Sequence, residues 1–267
     1  MSKIAAKFEE LRKKRRGALI AFITAGDPNP KLTPEIAAVL AKHADILELG
    51  VPFSDPIADG PTIQAADDRA LSAGTTPERV FEIIKKIREK SDIPIVVLSY
   101  YNLVLNPRID NFMKKLGAAG GDGIIVPDMP FEESREVLDA AKKHDLDLIL
   151  LAAPTTTLER LQQICNASGG FLYLVSVLGV TGARREVSVE AKNLVRKARA
   201  ASKGKIPLAI GFGISKPKHV REVLKIGADA AIVGSAFVDL IAKNLNNKNK
   251  MLRELDRFGK ALKAATR

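Results

Sequence analysis

VREVLKIGADAAIVGSAFVDL, residues 220–240, holds one complete turn of the pattern from which the chain is built. Val220, Val223 and Leu224 recur at helical spacing and mark one apolar stripe. Gly227 stands where a helix C-terminal cap belongs, and Ala228-Asp229 hands over to the run Ala230–Val233. That run is continuously apolar, as a strand buried on both faces should be. It closes in a tight glycine turn, Gly234-Ser235.

Moving outward, the same kind of run appears seven more times: Ala18–Thr24, Asp45–Leu49, Ile95–Ser99, Gly123–Val126, Leu148–Ala152, Phe171–Val175 and Leu208–Ile210. Helical spacing returns between them. Thr76-Pro77 reads as an N-cap with proline in the first turn, followed by Val80, Ile83, Ile84 and Ile87. Glu133 to Lys143 carries Val137, Leu138 and Ala141 in the same way. Strands alternating with helices imply right-handed βαβ units. Eight such units in 267 residues predict an α/β fold, a single (β/α)8 TIM barrel over residues 1–267 with an extra N-terminal helix, in preference to an open doubly wound sheet. The dipeptides Ala44-Asp45, Gly121-Asp122 and Ala228-Asp229 each precede an apolar run, an echo that reads as packing and turn chemistry. Leu240 through Thr266 reads as a final helix interrupted by the polar stretch Asn244–Asn249.

The net charge of +11 raises the question of a nucleic-acid or membrane partner. The Lys and Arg are spread over many helices, and aromatics for base stacking are scarce, so solvated helix faces are the better reading. Only Arg12–Arg16 is a dense basic run. Followed by Ala18–Ala25 it imitates a signal peptide, but Glu9 and Glu10 precede it and Gly26-Asp27-Pro28 ends it as a turn. The expected compartment is the cytoplasm, with no membrane and no nucleic-acid partner. Cys165 is the sole cysteine, and His43, His144 and His219 lie apart, so no disulfide or metal site is expected.

Two glycine turns follow the seventh and eighth runs, Gly211-Phe212-Gly213-Ile214-Ser215 and Gly234-Ser235-Ala236. Phosphates in such barrels sit between these loops, near a helix N-terminus. Glycine lets backbone N–H groups approach the anion, helix-start N–H groups lack intrahelical partners, and Ser235 adds a hydroxyl. Gly179-Val180-Thr181-Gly182 could complete the cradle. A phosphate site is therefore expected at this end.

The segment ELGVPFSDPIADGPTIQ, residues 48–64, carries the acids. Alternation puts Ile46 and Glu48 on one strand face and Leu47 and Leu49 on the other. An ionised glutamate is costly to bury in so apolar a strand, and no nearby strand supplies a cation for it. Pointing into the barrel mouth, Glu48 would have a raised pKa and serve as an acid near neutral pH. Asp55 and Asp59 follow in a loop stiffened by Pro52, Pro56 and Pro61; Asp55 also fits plain turn chemistry.

This segment resembles the signature of the tryptophan synthase alpha subunit family. The resemblance continues through ITAGDP (23–28), SYYN (99–102), VPDMPFEES (126–134), APTT (153–156), YLVSVLGVTGAR (173–184), GFGIS (211–215) and GSAFV (234–238). It implies cleavage of indole-3-glycerol phosphate by a retro-aldol reaction that needs no cofactor in this chain. Glu48 and Asp59 would be the catalytic carboxylates and Tyr173 a supporting phenol. Phe22 and Tyr100 would line the indole pocket, Gly182, Gly213, Gly234 and Ser235 would hold the phosphate, and Thr181 would close over substrate. The implied partner is a pyridoxal-phosphate-dependent tryptophan synthase beta subunit in an α2β2 assembly. Its expected docking surface is an exposed apolar patch of Phe53, Leu103, Val104 and Phe131. The family pattern more often has proline at Ala21 and a larger apolar residue at Gly121. A different phosphate-binding barrel enzyme, a stand-alone lyase, or a basic binding module without turnover are the competing readings.

Overall fold

A computed structural model describes residues 1–175, 188–211 and 213–267. The parallel strands are β1 (Ala18–Thr24), β2 (Ile46–Gly50), β3 (Ile95–Leu98), β4 (Gly123–Ile125), β5 (Asp147–Ile149), β6 (Leu151–Ala152), β7 (Leu172–Val175), β8 (Leu208–Gly211) and β9 (Ala230–Val233). Their order is β5-β4-β3-β2-β1-β9-β8-β7-β6. β5 pairs with β4 and β6 pairs with β7, with only Leu150 between them. The two segments are one bent stave, the fifth expected run, and through them eight staves close into a barrel. Closure leaves no strand edge open to solvent.

Period-2 alternation sorts the side chains into two cores. Ile20, Ile46, Val96, Ile125, Tyr173 and Ile232 belong to the cluster inside the barrel. Leu19, Ala21, Leu47, Leu49 and Val97 point outward into the larger core between strands and helices. The extra N-terminal helix is present as Lys3–Lys13, started by Ser2, whose hydroxyl accepts from the Ala5 N–H at 3.2 Å. Its Ile4, Phe8 and Leu11 join the inner cluster, and Phe8 packs on Phe171 with ring centres 6.0 Å apart. This apolar face stops the end of the barrel opposite the glycine turns.

The helix after Thr76 forms as expected over Pro77–Arg88, with the Thr76 hydroxyl accepting from the Arg79 N–H. The segment expected as one helix from Glu133 divides into a 3₁₀ turn, Phe131–Glu133, and a helix, Arg135–Lys143. The tail divides at its asparagines into Ser235–Ala242 and Lys248–Ala264, where the Asn247 side chain caps the second helix by accepting from the Lys250 N–H at 3.0 Å. Among the described residues no helix is long and apolar enough to cross a membrane.

One expectation is overturned. Val104 is not part of an exposed patch: it is fully buried. Leu103 and Phe131 are half-buried against the same core, and Phe53 stacks on Tyr100 at 5.1 Å. The helix Tyr101–Leu105 turns Val104 inward, and among the described residues the large apolar side chains left open at this face include Ile57 and Leu105.

The repeated Asp before an apolar run has a clear structural basis. Asp45, Asp122 and Asp229 each donate a backbone N–H to the carbonyl of Leu19, Ile95 and Leu208, at 2.8 Å in all three cases. Each carboxylate then accepts the N–H of that same strand residue, at 2.7 Å for Leu19 and Leu208 and 2.8 Å for Ile95. A cation from a helix completes each clamp: Lys263 on Asp45, Arg88 on Asp122 and Arg199 on Asp229. Three strand starts are thereby pinned to their neighbours at the N-terminal rim. Asp122→Ala leaves the Ile95 N–H without its acceptor and the Arg88 guanidinium held only by the carbonyls of Gly120, Ser91 and Ile93, so denaturant unfolding should register a loss of about 1–3 kcal/mol. Unchanged stability would show that the clamps do not hold the rim.

Candidate active site

The C-terminal ends of the strands enclose a cavity of about 830 Å³. Its apolar wall includes Phe22, Leu98, Ile125, Met129, Leu151 and Ile232, and its polar groups include Glu48, Asp59 and Tyr173. Gly213, Gly234 and Ser235 line its far end. The cavity is thus apolar over most of its surface, acidic on one side and supplied with backbone donors on another, which suits a flat aromatic body carrying an anionic tail.

Glu48 lies on β2 opposite Phe22 of β1 and Val96 of β3. It shares the inward face with Ile46 and is 1 % exposed. Among the described residues its Oε2 has no hydrogen-bond partner. Burial, and secondarily the charge of Asp59, pushes its carboxyl up from 4.5 to about 8. Glu48 therefore holds its proton at neutral pH and can donate it.

Asp59 is half-buried on the loop between β2 and the helix Pro61–Ser72. Burial raises its carboxyl too, but the Tyr100 hydroxyl opposes this by donating to Oδ2 at 2.7 Å. Tyr100 in turn accepts from the Ala58 N–H at 3.0 Å, so one phenol holds both ends of the loop tip. Gln64 donates to the Asp59 carbonyl at 2.8 Å. Tyr100 itself does not line the cavity. It stands behind Asp59, stacked on Phe53.

Tyr173, on β7, faces the same cavity and is 7 % exposed. Burial, with the charges of Glu48 and Asp59, pushes its phenol well above its ordinary value, so it stays protonated. A Cβ on Gly211 would sit 2.2 Å from the Tyr173 hydroxyl oxygen, so only glycine leaves room for that phenol. At the phosphate end, a Cβ on Gly234 would press on the Phe22 ring at 3.2 Å, and Ser235 opens the helix Ser235–Ala242. Gly213 has a φ of +80°, a backbone conformation natural to glycine. Thr181 and Gly182 lie outside the described residues.

Asp67 was not singled out from the sequence. It is 3 % exposed on the helix Pro61–Ser72, and burial, then the charge of Asp59, pushes its carboxyl up to about 8. The signal was present: Asp67 sits on the stripe of Ile63, Ala66 and Ala70, where a carboxyl group is out of place. Beside it, fully buried Asp27 receives two hydrogen bonds from Arg69, each at 2.8 Å. This pair ties the loop after β1 to the helix that follows Asp59.

Comparison with known proteins agrees with this geometry. The family model described as "Tryptophan synthase alpha chain" matches residues 8–267. The tryptophan synthase alpha chain of Methanoregula boonei is 50% identical over 254 residues, 95% of each chain. That of Methanocaldococcus jannaschii is 48% identical over 257 residues, 96% of this chain and 90% of the relative. Among solved structures, tryptophan synthase subunit alpha of Legionella pneumophila superposes with a TM-score of 0.90 at 34% identity, covering 100% of this chain and 98% of that one. The tryptophan synthase a2b2 complex of Pyrococcus furiosus includes a chain that superposes with a TM-score of 0.87 at 40% identity, covering 92% and 98%. A closed barrel with two carboxyl groups in its apolar mouth, matched over nearly its whole length at this identity, belongs to the tryptophan synthase alpha chain family.

Proposed function

We propose that Glu48 and Asp59 divide the family's reaction, the retro-aldol cleavage of indole-3-glycerol phosphate to indole and glyceraldehyde 3-phosphate, between an acid–base role and an electrostatic one. The chain is a carbon–carbon lyase of tryptophan biosynthesis. The observation that carries the division is the environment of Glu48, a carboxyl group buried without a cation among the described residues yet bordering the cavity.

Protonated Glu48 gives its proton to indole C3, which breaks the aromaticity of the five-membered ring and leaves a positive charge centred on the ring nitrogen. The resulting Glu48 carboxylate takes the proton of the hydroxyl on the adjoining glycerol carbon. As that oxygen becomes a carbonyl, the carbon–carbon bond breaks and its electron pair restores the indole. Glu48 ends as it began, so no co-reactant is required. Asp59 accepts the indole N–H and stabilises the cationic ring, while Tyr100 holds its other oxygen. Tyr173 presents a permanently protonated phenol beside Glu48. Phe22 and the apolar wall hold the indole, and Gly213, Gly234 and Ser235 bind the phosphate; on the family resemblance alone, Gly182 joins the phosphate site and Thr181 closes over the substrate. Remote binding of the phosphate fixes the reacting carbon near Glu48.

This chemistry uses no cofactor in this chain; the family's pyridoxal phosphate belongs to the beta chain. The proposed partner is a tryptophan synthase beta subunit in an α2β2 assembly. It would dock on the catalytic face where Ile57 stands 83 % exposed and Leu105 43 % exposed. The proposed compartment is the cytoplasm, where the lone Cys165 stays a thiol.

The carboxyl roles can be tested by rate and stability together. Glu48→Gln and Asp59→Asn should each lower kcat at least about a hundredfold without unfolding the chain. In the parent, kcat/KM should fall as pH rises through about 8, where Glu48 loses its proton. Because the folded pKa lies above the unfolded one, burial of Glu48 carries no penalty below pH 4.5, and the penalty grows up to about pH 8. Glu48→Gln should therefore gain stability over the parent across that window, on the order of a few kcal/mol at its upper end. Near-normal turnover by folded Glu48→Gln would remove it from the mechanism.

For the phosphate end, Ser235→Asp should abolish binding of glycerol phosphate in calorimetry, whereas Ser235→Ala should weaken it only severalfold. Equal, parent-like affinity in both would move the phosphate elsewhere. For the partner, Ile57→Asp should weaken a titrated beta-subunit complex at least tenfold while leaving the isolated chain folded. An unaltered complex would mean that docking does not use this loop.

A further inference from the structure

The barrel end opposite the active site carries a second cavity, of about 1020 Å³. It opens where the N-terminal helix Lys3–Lys13 leaves the floor of the barrel. Phe8, Leu11, Ile206, Pro207 and Leu224 give it an apolar base. Arg12, Arg15 and Arg16 line one side of it, contributed by the exit of that helix. Lys205 joins from the turn before β8, and Arg221 and Lys225 from the helix Pro217–Lys225. Two carboxylate side chains, Glu9 and Asp229, also reach the lining. Asp229 is held by Arg199 at 2.7 Å within a rim clamp, and Glu9 lies 3.9 Å from Arg12. Among the described residues, none of Arg15, Arg16, Lys205, Arg221 and Lys225 forms an ion pair with a carboxylate.

Cations scattered over helix faces normally point apart and stay solvated. Here five exposed cations from three chain segments border one concave space, where an anion would lower their mutual repulsion. Guanidinium groups pair with phosphate oxygens through two parallel hydrogen bonds, and three of the five are arginines. The space is far larger than one orthophosphate needs, so a single phosphate would reach only part of the ring. We propose that this basal cavity is a binding site for an oligophosphate, with the linked phosphates spanning the arginines of the N-terminal helix exit and Arg221 of the helix Pro217–Lys225. The apolar base leaves room for a nucleoside attached to the phosphates, so the ligand is either a nucleoside triphosphate or inorganic oligophosphate. The site is separate from the catalytic mouth, and none of its residues takes part in the chemistry described above.

Calorimetric titration of the full chain with inorganic tripolyphosphate and with ATP, in the absence of magnesium at low salt, tests this. Saturable 1:1 binding is expected, with an affinity that falls steeply between about 50 and 200 mM salt. Tighter binding of ATP than of tripolyphosphate would assign the nucleoside to the apolar base; equal binding would leave inorganic oligophosphate as the ligand class. Arg16→Glu and Arg221→Glu should each reduce the affinity at least tenfold while the indole-release rate and the circular dichroism spectrum stay as in the parent. If the charge reversals leave binding untouched, the cavity is not the site. If sulfate at matched ionic strength displaces tripolyphosphate equally well, the ring is only an ion atmosphere and the proposal fails, as it does if no binding is seen at millimolar ligand. Failure of lyase activity in the parent would instead count against the reading of the catalytic mouth, and would leave these binding measurements standing.

Discussion

Closure of the parallel sheet is the constraint on which the rest of this molecule depends. A parallel strand must be covered on both faces and bonded along both edges. Eight staves meet that demand by forming a ring, with the fifth bent at Leu150 so that β5 reaches β4 and β6 reaches β7. Once the ring is closed, every second side chain has a fixed destination. Ile46 and Glu48 must both point inward because they share a face of β2, and inward means away from water. The acid strength of Glu48 is therefore a consequence of topology. Any fold that put β2 at a sheet edge would let water reach its carboxylate and return its pKa toward the ordinary value.

The two ends of the barrel spend this geometry differently. At the N-terminal rim, aspartates clamp strand starts and helix-borne cations seal the clamps, so the charges serve cohesion. At the C-terminal rim, glycines replace side chains where Tyr173 and Phe22 need space, and among the described residues the Glu48 Oε2 is left without a partner. The pair Asp27–Arg69 extends that support to the active-site side, holding the helix that begins just after Asp59.

The sequence made some features plain and others invisible for identifiable reasons. The eight runs and their order were legible because a strand buried on both faces must be apolar throughout. Glu48 was legible as an inward acid because alternation has a period of two. The Asp echo was visible as a repeat, although its partners Lys263, Arg88 and Arg199 could not be named, since they are remote in sequence from the residues they clamp. Val104 was misread as exposed because a five-residue helix offers too few positions to reveal which side faces the core. Asp67 does not stand out between Ala66 and the charged Asp68-Arg69, although its place on the buried stripe marks it.

What the sequence determined by itself is the alternation of strand and helix, the residues available for chemistry, and the family to which their spacing points. Those depend on local periodicity and on motifs within a few residues of one another. Only the tertiary structure decided which groups meet. Tyr100 holding Asp59 across 41 positions is one such contact. The convergence of arginines from opposite ends of the chain on the barrel floor is another. Each arises because closing the ring brings distant segments to one rim, and no local pattern encodes how the ring closes.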